Sequence, residues 1–218
     1  MRPSPQTPGA TPGATEPRTW IRRAMAPFQE WSTRDIVIGA VLAVVVGVIF
    51  WAWDALYTSF FGAIPFPAVY AINGMWMLGG LLVPYVVRRP GAAFFGELVA
   101  AFVSMAIGNQ WGVLVLASGA VQGAGAELGF ACFRWKKFTW LPLFVAAALA
   151  QVFGIVLDTF VYSYYATYSW ANILLAGIIA VASAIVIGGG LTQGLGEALA
   201  RTGALSGLGH GSGRTKRV

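Results

Sequence analysis

Apolar positions fill six long stretches of the chain, and polar or charged residues gather in the breaks between them. The stretches run from Asp35 to Trp53, Ala68 to Val87, Ala92 to Gly108, Gly112 to Phe133, Trp140 to Phe160 and Ala171 to Gln193. A bilayer's hydrocarbon core is about 30 Å thick, so a helix needs about 20 mostly apolar residues to cross it. The second stretch is entered through Pro65-Phe66-Pro67. The third is short and interrupted by Glu97, and the fourth carries Gln122 and Glu127. Pro142 falls in the first turn of the fifth, where a missing N–H costs little. The sixth is followed by a Gly-rich, weakly amphipathic end. The pattern predicts an all-α, polytopic membrane protein of six transmembrane helices, with a membrane domain over residues 31–205. Residues 1–30, rich in Pro, Thr, Gly and Arg, read as a disordered or interfacial tail, and 206–218 as a disordered basic tail.

Charge sharpens this picture. Arg2, Arg18, Arg22, Arg23 and Arg34 precede the first stretch, and Arg88 and Arg89 lie between the second and third. Arg134, Lys136 and Lys137 lie between the fourth and fifth, and Arg201, Arg214, Lys216 and Arg217 follow the sixth. These are all 14 Lys and Arg residues, and they fall on alternate breaks only. Positive charge near helix ends stays in the cytoplasm, so both termini are expected inside. The three other breaks carry no cation. They hold Trp51, Trp53, Asp54 and Tyr57, then Asn109, Gln110 and Trp111, then Asp158, Tyr162, Tyr164, Tyr165, Tyr168 and Trp170. Such aromatics are ordinary interfacial anchors. They are equally a mouth of π faces and carboxylates suited to a cationic aromatic ligand.

Composition agrees: the chain is 57% hydrophobic and only 10% charged, where a soluble domain is about a quarter charged. The net charge of +6 is spread between the apolar runs and forms no nucleic-acid patch. With one cysteine, Cys132, no disulfide framework within the chain is expected.

Two features carry candidate chemistry. Gly39, Ala43 and Gly47 make a small-residue stripe on the first helix, for packing within the bundle or for docking a separate membrane subunit. Glu97 and Glu127 each lie about six residues from the cationic end of adjacent helices, roughly 9 Å deep at 1.5 Å per residue. A membrane-embedded acid is costly, and marks either a functional site or a protonated or capping group that holds the bundle. On helical wheels Glu97, Ala101, Ser104 and Gly108 share one face, and Trp111, Ser118 and Gln122 another. Gln151, Asp158 and Tyr162 align on the fifth helix. Three inward polar stripes would enclose a pocket open at the non-cationic end. No phosphate-binding loop ending Gly-Lys-Ser/Thr occurs. His210 is the one histidine, so neither a metal site nor a nucleophile–base pair is expected, nor any cofactor.

The run from Arg88 through Glu97, then Gly108-Asn109, Trp111-Gly112, and Ser118-Gly-Ala-Val-Gln122-Gly-Ala-Gly-Ala-Glu127 resembles the YkoE-type substrate-capture subunits (S components) of energy-coupling-factor (ECF) vitamin transporters. The resemblance spans about residues 30–205. It implies a six-helix, non-enzymatic subunit in a prokaryotic plasma membrane. That subunit would capture thiamine or its hydroxymethylpyrimidine precursor for a transmembrane coupling subunit and two ATPase subunits. Glu97, Asn109, Gln122 and Glu127 fall within the matching block, and the stripe Gly39, Ala43, Gly47 takes the docking role. The residues alone also admit a membrane scaffold without a small-molecule site.

Overall fold

The computed structural model describes residues 31–203, so both expected tails, 1–30 and 206–218, lie outside the described residues. Helix α1 spans Thr33–Ser59, and a 3-10 helix, Ala68–Met77, runs directly into α2, Leu78–Val87. Then come α3, Ala92–Ile107, α4, Leu114–Cys132, and α5, Trp140–Phe160. The last crossing is α6, Trp170–Ser183, joined through a π-helical turn, Ala184–Gly189, to α7, Gly190–Arg201. Five of these crossings are long and apolar enough to span a membrane, and Ala92–Ile107 is a shorter apolar helix. The described part is an all-helical membrane bundle.

Three boundaries differ from the sequence expectation, each for a local reason. Helix α1 continues to Ser59, so Asp54 lies on a helix rather than in a loop. Helix α4 begins at Leu114 because Gly112 has φ of 58°, outside the helical region. The second crossing is not one α-helix, since its first ten residues are wound as 3-10. Helix α5 occupies the expected span, with Pro142 inside its first turn.

Small residues set the helix spacing. Ala43, Gly39 and Gly47 are all buried. A Cβ on Gly47 would lie 2.5 Å from Val103 Cβ and 2.7 Å from the Ala100 carbonyl, and one on Gly39 would touch Val83, Val87 and Phe95. The stripe therefore packs α1 onto α2 and α3 of this same chain. Helix α4 has two such faces. Gly119 and Gly123 meet α3 at Ala101, Phe94 and Glu97, while Gly125 and Gly129 meet α5 at Leu149 and Ala146. Below these contacts Met77, Leu81, Ala126, Phe130, Leu143 and Ala147 form a closed apolar core toward the cationic end.

That cationic end is stapled. Ser32 and Asp35 form a reciprocal capping box at the start of α1, worth about 1 kcal/mol. Asp35 Oδ2 also accepts from Arg89 Nε at 2.9 Å, and Trp31 Nε1 donates to the Pro90 carbonyl at 3.0 Å. The α2–α3 turn is thus tied to the foot of α1.

Gly47→Ala should lower stability by about 2 kcal/mol, because a methyl overpacks the α1–α3 contact. Gly194→Ala, in α7 with nothing within 4 Å of its Cβ, should raise it by up to about 1 kcal/mol through helix propensity. Thermal midpoints of the purified variants in detergent measure both.

Candidate functional site

A cavity of about 790 Å³, counting the part continuous with solvent, opens at the bundle end that carries no Lys or Arg. Helix α3 contributes Glu97 and Ala101, α4 contributes Ser118 and Gln122, and α5 with its following loop contributes Asp158 and Tyr162. The three polar stripes expected from the helical wheels therefore converge, and Trp111 joins them from the α3–α4 turn. Tyr57, Tyr164 and Tyr165, expected at an aromatic mouth, also line it, while the residues of the second crossing were not anticipated. Tyr70, Asn73 and Trp76 come from the 3-10 segment, and Tyr57 from the extra turns of α1.

The two cavity carboxylates are held in different ways. Glu97 is only 1% exposed, and its Oε2 accepts the Gly80 N–H, in the first turn of α2, at 2.5 Å. Carboxylate and backbone fit because position 79 is glycine: a Cβ there would be 2.9 Å from Glu97 Oε2. Asp158 Oδ2 accepts from the Tyr165 hydroxyl at 3.2 Å, and that hydroxyl also pairs with the Tyr70 hydroxyl. Burial pushes the Tyr165 phenol above its ordinary pKa, so it stays a donor across the physiological range. Phe66 stacks on Tyr168 with ring centroids 3.9 Å apart and meets Tyr165 and Tyr70, so an aromatic cluster rims this side.

A third acid, Asp54, organises the wall without lining the cavity. It is 3% exposed. Its Oδ1 accepts both the Trp76 and the Trp111 indole N–H at 3.1 Å, and its Oδ2 accepts the Ser104 hydroxyl at 3.3 Å. Asn109 Nδ2 donates to Ser104 Oγ at 3.1 Å, while Asn109 Oδ1 accepts the backbone N–H groups of Trp111 and Gly112. Asn109 and Ser104 thus form an outer support. They fix the α3–α4 turn and the carboxylate that orients two cavity indoles, and neither lines the cavity itself. The signal for Asp54 was present in the sequence, as an acid one residue beyond a charge-free apolar run.

Glu127 lies elsewhere. From α4 it accepts the N–H groups of Gly91 (2.6 Å), Ala93 (2.9 Å) and Phe94 (3.4 Å), and the Trp135 indole N–H (2.6 Å). Those amides are the start of α3, where Gly91 has φ of 84° and no side-chain cap of its own. A carboxylate there satisfies orphan donors and complements the helix dipole. Near the cavity, Gln151 is buried on α5 two turns from Asp158, and its Oε1 has no hydrogen-bond partner among the described residues. Among the described residues no group of three or more His, Cys, Asp or Glu is placed to hold a metal ion. The ion pairs found there, Arg89–Asp35 and Arg201–Glu197, involve no cavity residue.

Comparison with known proteins agrees with this architecture. The family described as "ABC-type cobalt transport system, permease component" matches residues 34–153. The protein named "Putative HMP/thiamine permease protein YkoE" of Bacillus subtilis (strain 168) is 33% identical over 197 residues, covering 87% of this chain and 95% of that one. A solved structure titled "Crystal structure of an S-component of ECF transporter" superposes with a TM-score of 0.80 at 33% identity, over 84% of this chain and 92% of that one. A helical membrane bundle with such a cavity, matched at this level, is the S component of an ECF transporter. Within that class the chain belongs to the YkoE family.

Asp54→Ala should cost about 3 kcal/mol, since it strands two indole donors and a hydroxyl in a buried setting. It should also shift the tryptophan emission of the purified protein by freeing Trp76 and Trp111. Glu127→Ala should lower the thermal midpoint without that emission change. Identical emission in wild type and Asp54→Ala would refute the positioning role.

Proposed function

We propose that the cavity captures thiamine or its hydroxymethylpyrimidine precursor and delivers it to an ATP-driven ECF importer. The observation that carries this is the cavity's chemistry: aromatic faces from four segments, two carboxylates and no lining cation. A thiazolium ring is stabilised by π faces and carboxylates. An aminopyrimidine offers both donors and acceptors, which an amide such as Gln122 matches with its carbonyl and NH₂. The relative whose name reads HMP/thiamine permease supports the same ligand class.

On this proposal Glu97, Gln122, Asp158, Trp111 and Tyr162 meet the ligand, Ser104 and Asn109 hold the wall through Asp54, and Glu127 caps α3. The nearest carboxylates also suit a metal, but three-ligand grouping is absent among the described residues, which favours an organic ligand over cobalt. The coupling subunit and two ATPase subunits supply energy. The stripe Gly39, Ala43, Gly47 serves their docking indirectly, by seating α1 closely on α3 so that its outward face, with Val37, Val41 and Val44 exposed, stays accessible. The cationic ends face the cytoplasm of a prokaryotic cell, as flanking Lys and Arg require.

Thiamine and hydroxymethylpyrimidine should each quench the tryptophan fluorescence of the purified protein, because Trp76 and Trp111 line the site. Gln122→Leu should weaken binding about tenfold, the worth of about one well-made hydrogen bond. Glu127→Ala should leave the dissociation constant unchanged. Quenching by cobalt(II) but by neither organic compound would overturn the proposal.

A further inference from the structure

The 3-10 winding of Ala68–Met77 decides which side chains the second crossing shows to the cavity. A 3-10 helix has three residues per turn, so positions i, i+3 and i+6 eclipse on one face. Tyr70, Asn73 and Trp76 have that spacing, and all three line the cavity. In an α-helix the same residues would fan out, Asn73 by about 60° and Trp76 by about 120° from Tyr70. Residues at i+4 and i+7, Gly74 and Met77, would take their places. The structure puts those two elsewhere. A Cβ on Gly74 would lie 2.2 Å from the Ser183 carbonyl oxygen, against α6, and Met77 is 1% exposed in the apolar core.

Tyr70 and Trp76 are already engaged, with the Tyr165 hydroxyl and with Asp54 respectively. Asn73 is half-buried between them, and its side-chain amide has no hydrogen-bond partner among the described residues. Gln122, across the cavity on α4, is in the same condition. An amide carries two donors and an acceptor with two lone pairs, and both of these amides are part-buried at the cavity wall, where water or a ligand can complete them. Two unpaired amides in one cavity form an array that a ligand completes.

We propose that Asn73, turned into the cavity by the 3-10 winding, is a specificity-determining residue that reads the donor–acceptor edge of a heteroaromatic ligand together with Gln122. This rests on the ligand class proposed above. A site built to hydrogen-bond a substrate amine discriminates against an analogue lacking it more sharply than apolar contacts can.

The test is calorimetric titration of the purified full-length protein with 4-amino-5-hydroxymethyl-2-methylpyrimidine and with the analogue in which the 4-amino group is replaced by oxo. Wild type should prefer the amino compound. Asn73→Leu should weaken that compound about tenfold and shrink the preference between the two, and the smaller Asn73→Ala should move both in the same direction. Misfolding lowers the number of sites and leaves the dissociation constant of the remainder intact, so the constant is the quantity compared. Wild-type binding with an unchanged constant and preference in both variants overturns this inference alone. Failure of wild type to bind either compound overturns it together with the reading it rests on.

Discussion

Hydrocarbon supplies no hydrogen bonds, so every polar group placed at membrane depth must find its partner inside the bundle or at a water-filled surface. The acids of this protein sort themselves by how that demand is met. Glu127 receives four donors and Asp54 receives three. Asp35 is held by its capping box and by Arg89. Each of these is fully engaged in architecture: a helix start, a pair of indoles, the foot of α1. Among the described residues Glu97 and Asp158 have one donor apiece, on one oxygen each, and these two line the cavity. A carboxylate has about four lone-pair sites, so the unsatisfied capacity sits where a ligand or water can reach it.

The same constraint explains how two irregular windings survive at depth. Runs of 3-10 helix beyond three or four residues are uncommon, and π turns leave a bulge. Here a ten-residue 3-10 stretch packs against the crossing that holds the π turn. Ser183 repairs the junction: its Oγ accepts the Gly74 N–H at 2.9 Å and donates to the Ala71 carbonyl at 2.8 Å. Gly188 then approaches the Gly74 carbonyl where no larger residue fits. The backbone groups freed by one irregular helix are satisfied by a side chain of the other, which is the condition under which such distortions are tolerated in membranes.

What could be read from the sequence follows from which rules are local. The cation-bearing breaks and the lengths of the apolar runs gave the six crossings, since both depend only on the solvent around them. A 100° wheel brought together Glu97, Gln122 and Asp158 because α3, α4 and α5 are regular. Such a wheel does not apply to the second crossing, where Tyr70, Asn73 and Trp76 repeat every three residues and the entry through Pro65 and Pro67 is the available hint. Asp54 is expected in a loop at the mouth because a charge ends an apolar run, whereas two indoles and a hydroxyl make its burial on α1 tolerable. Small-residue spacing on α1 announced a close approach, but nothing in one helix says which helix approaches. Contacts at Ala100 and Val103 of α3 settle that. Glu127 was recognised as an embedded acid, yet its role depended on the free amides of α3, a tertiary relation.

One end of this bundle is soft and aromatic and the other is locked, and that asymmetry bears on transport. At the open end the wall is made of loop tyrosines, a 3-10 segment and a turn shaped by Asn109, elements with few regular backbone hydrogen bonds of their own. At the cationic end Trp31, Asp35 and Arg89 staple α1 to the α2–α3 turn, Glu127 closes the head of α3, and the Arg88 guanidinium lies 5.9 Å from the Phe138 ring centroid. Leu81, Phe130 and Leu143 belong to one apolar cluster on the cationic side, and all three side chains are fully buried. Opening a passage there would strip several large apolar side chains of their contacts at about 2–5 kcal/mol each, a sum comparable to the whole binding free energy of a micromolar to nanomolar ligand, about 8–12 kcal/mol. A ligand admitted on the aromatic side meets this packing before it can cross, and on the function proposed here the work of opening it falls to the coupling and ATPase subunits.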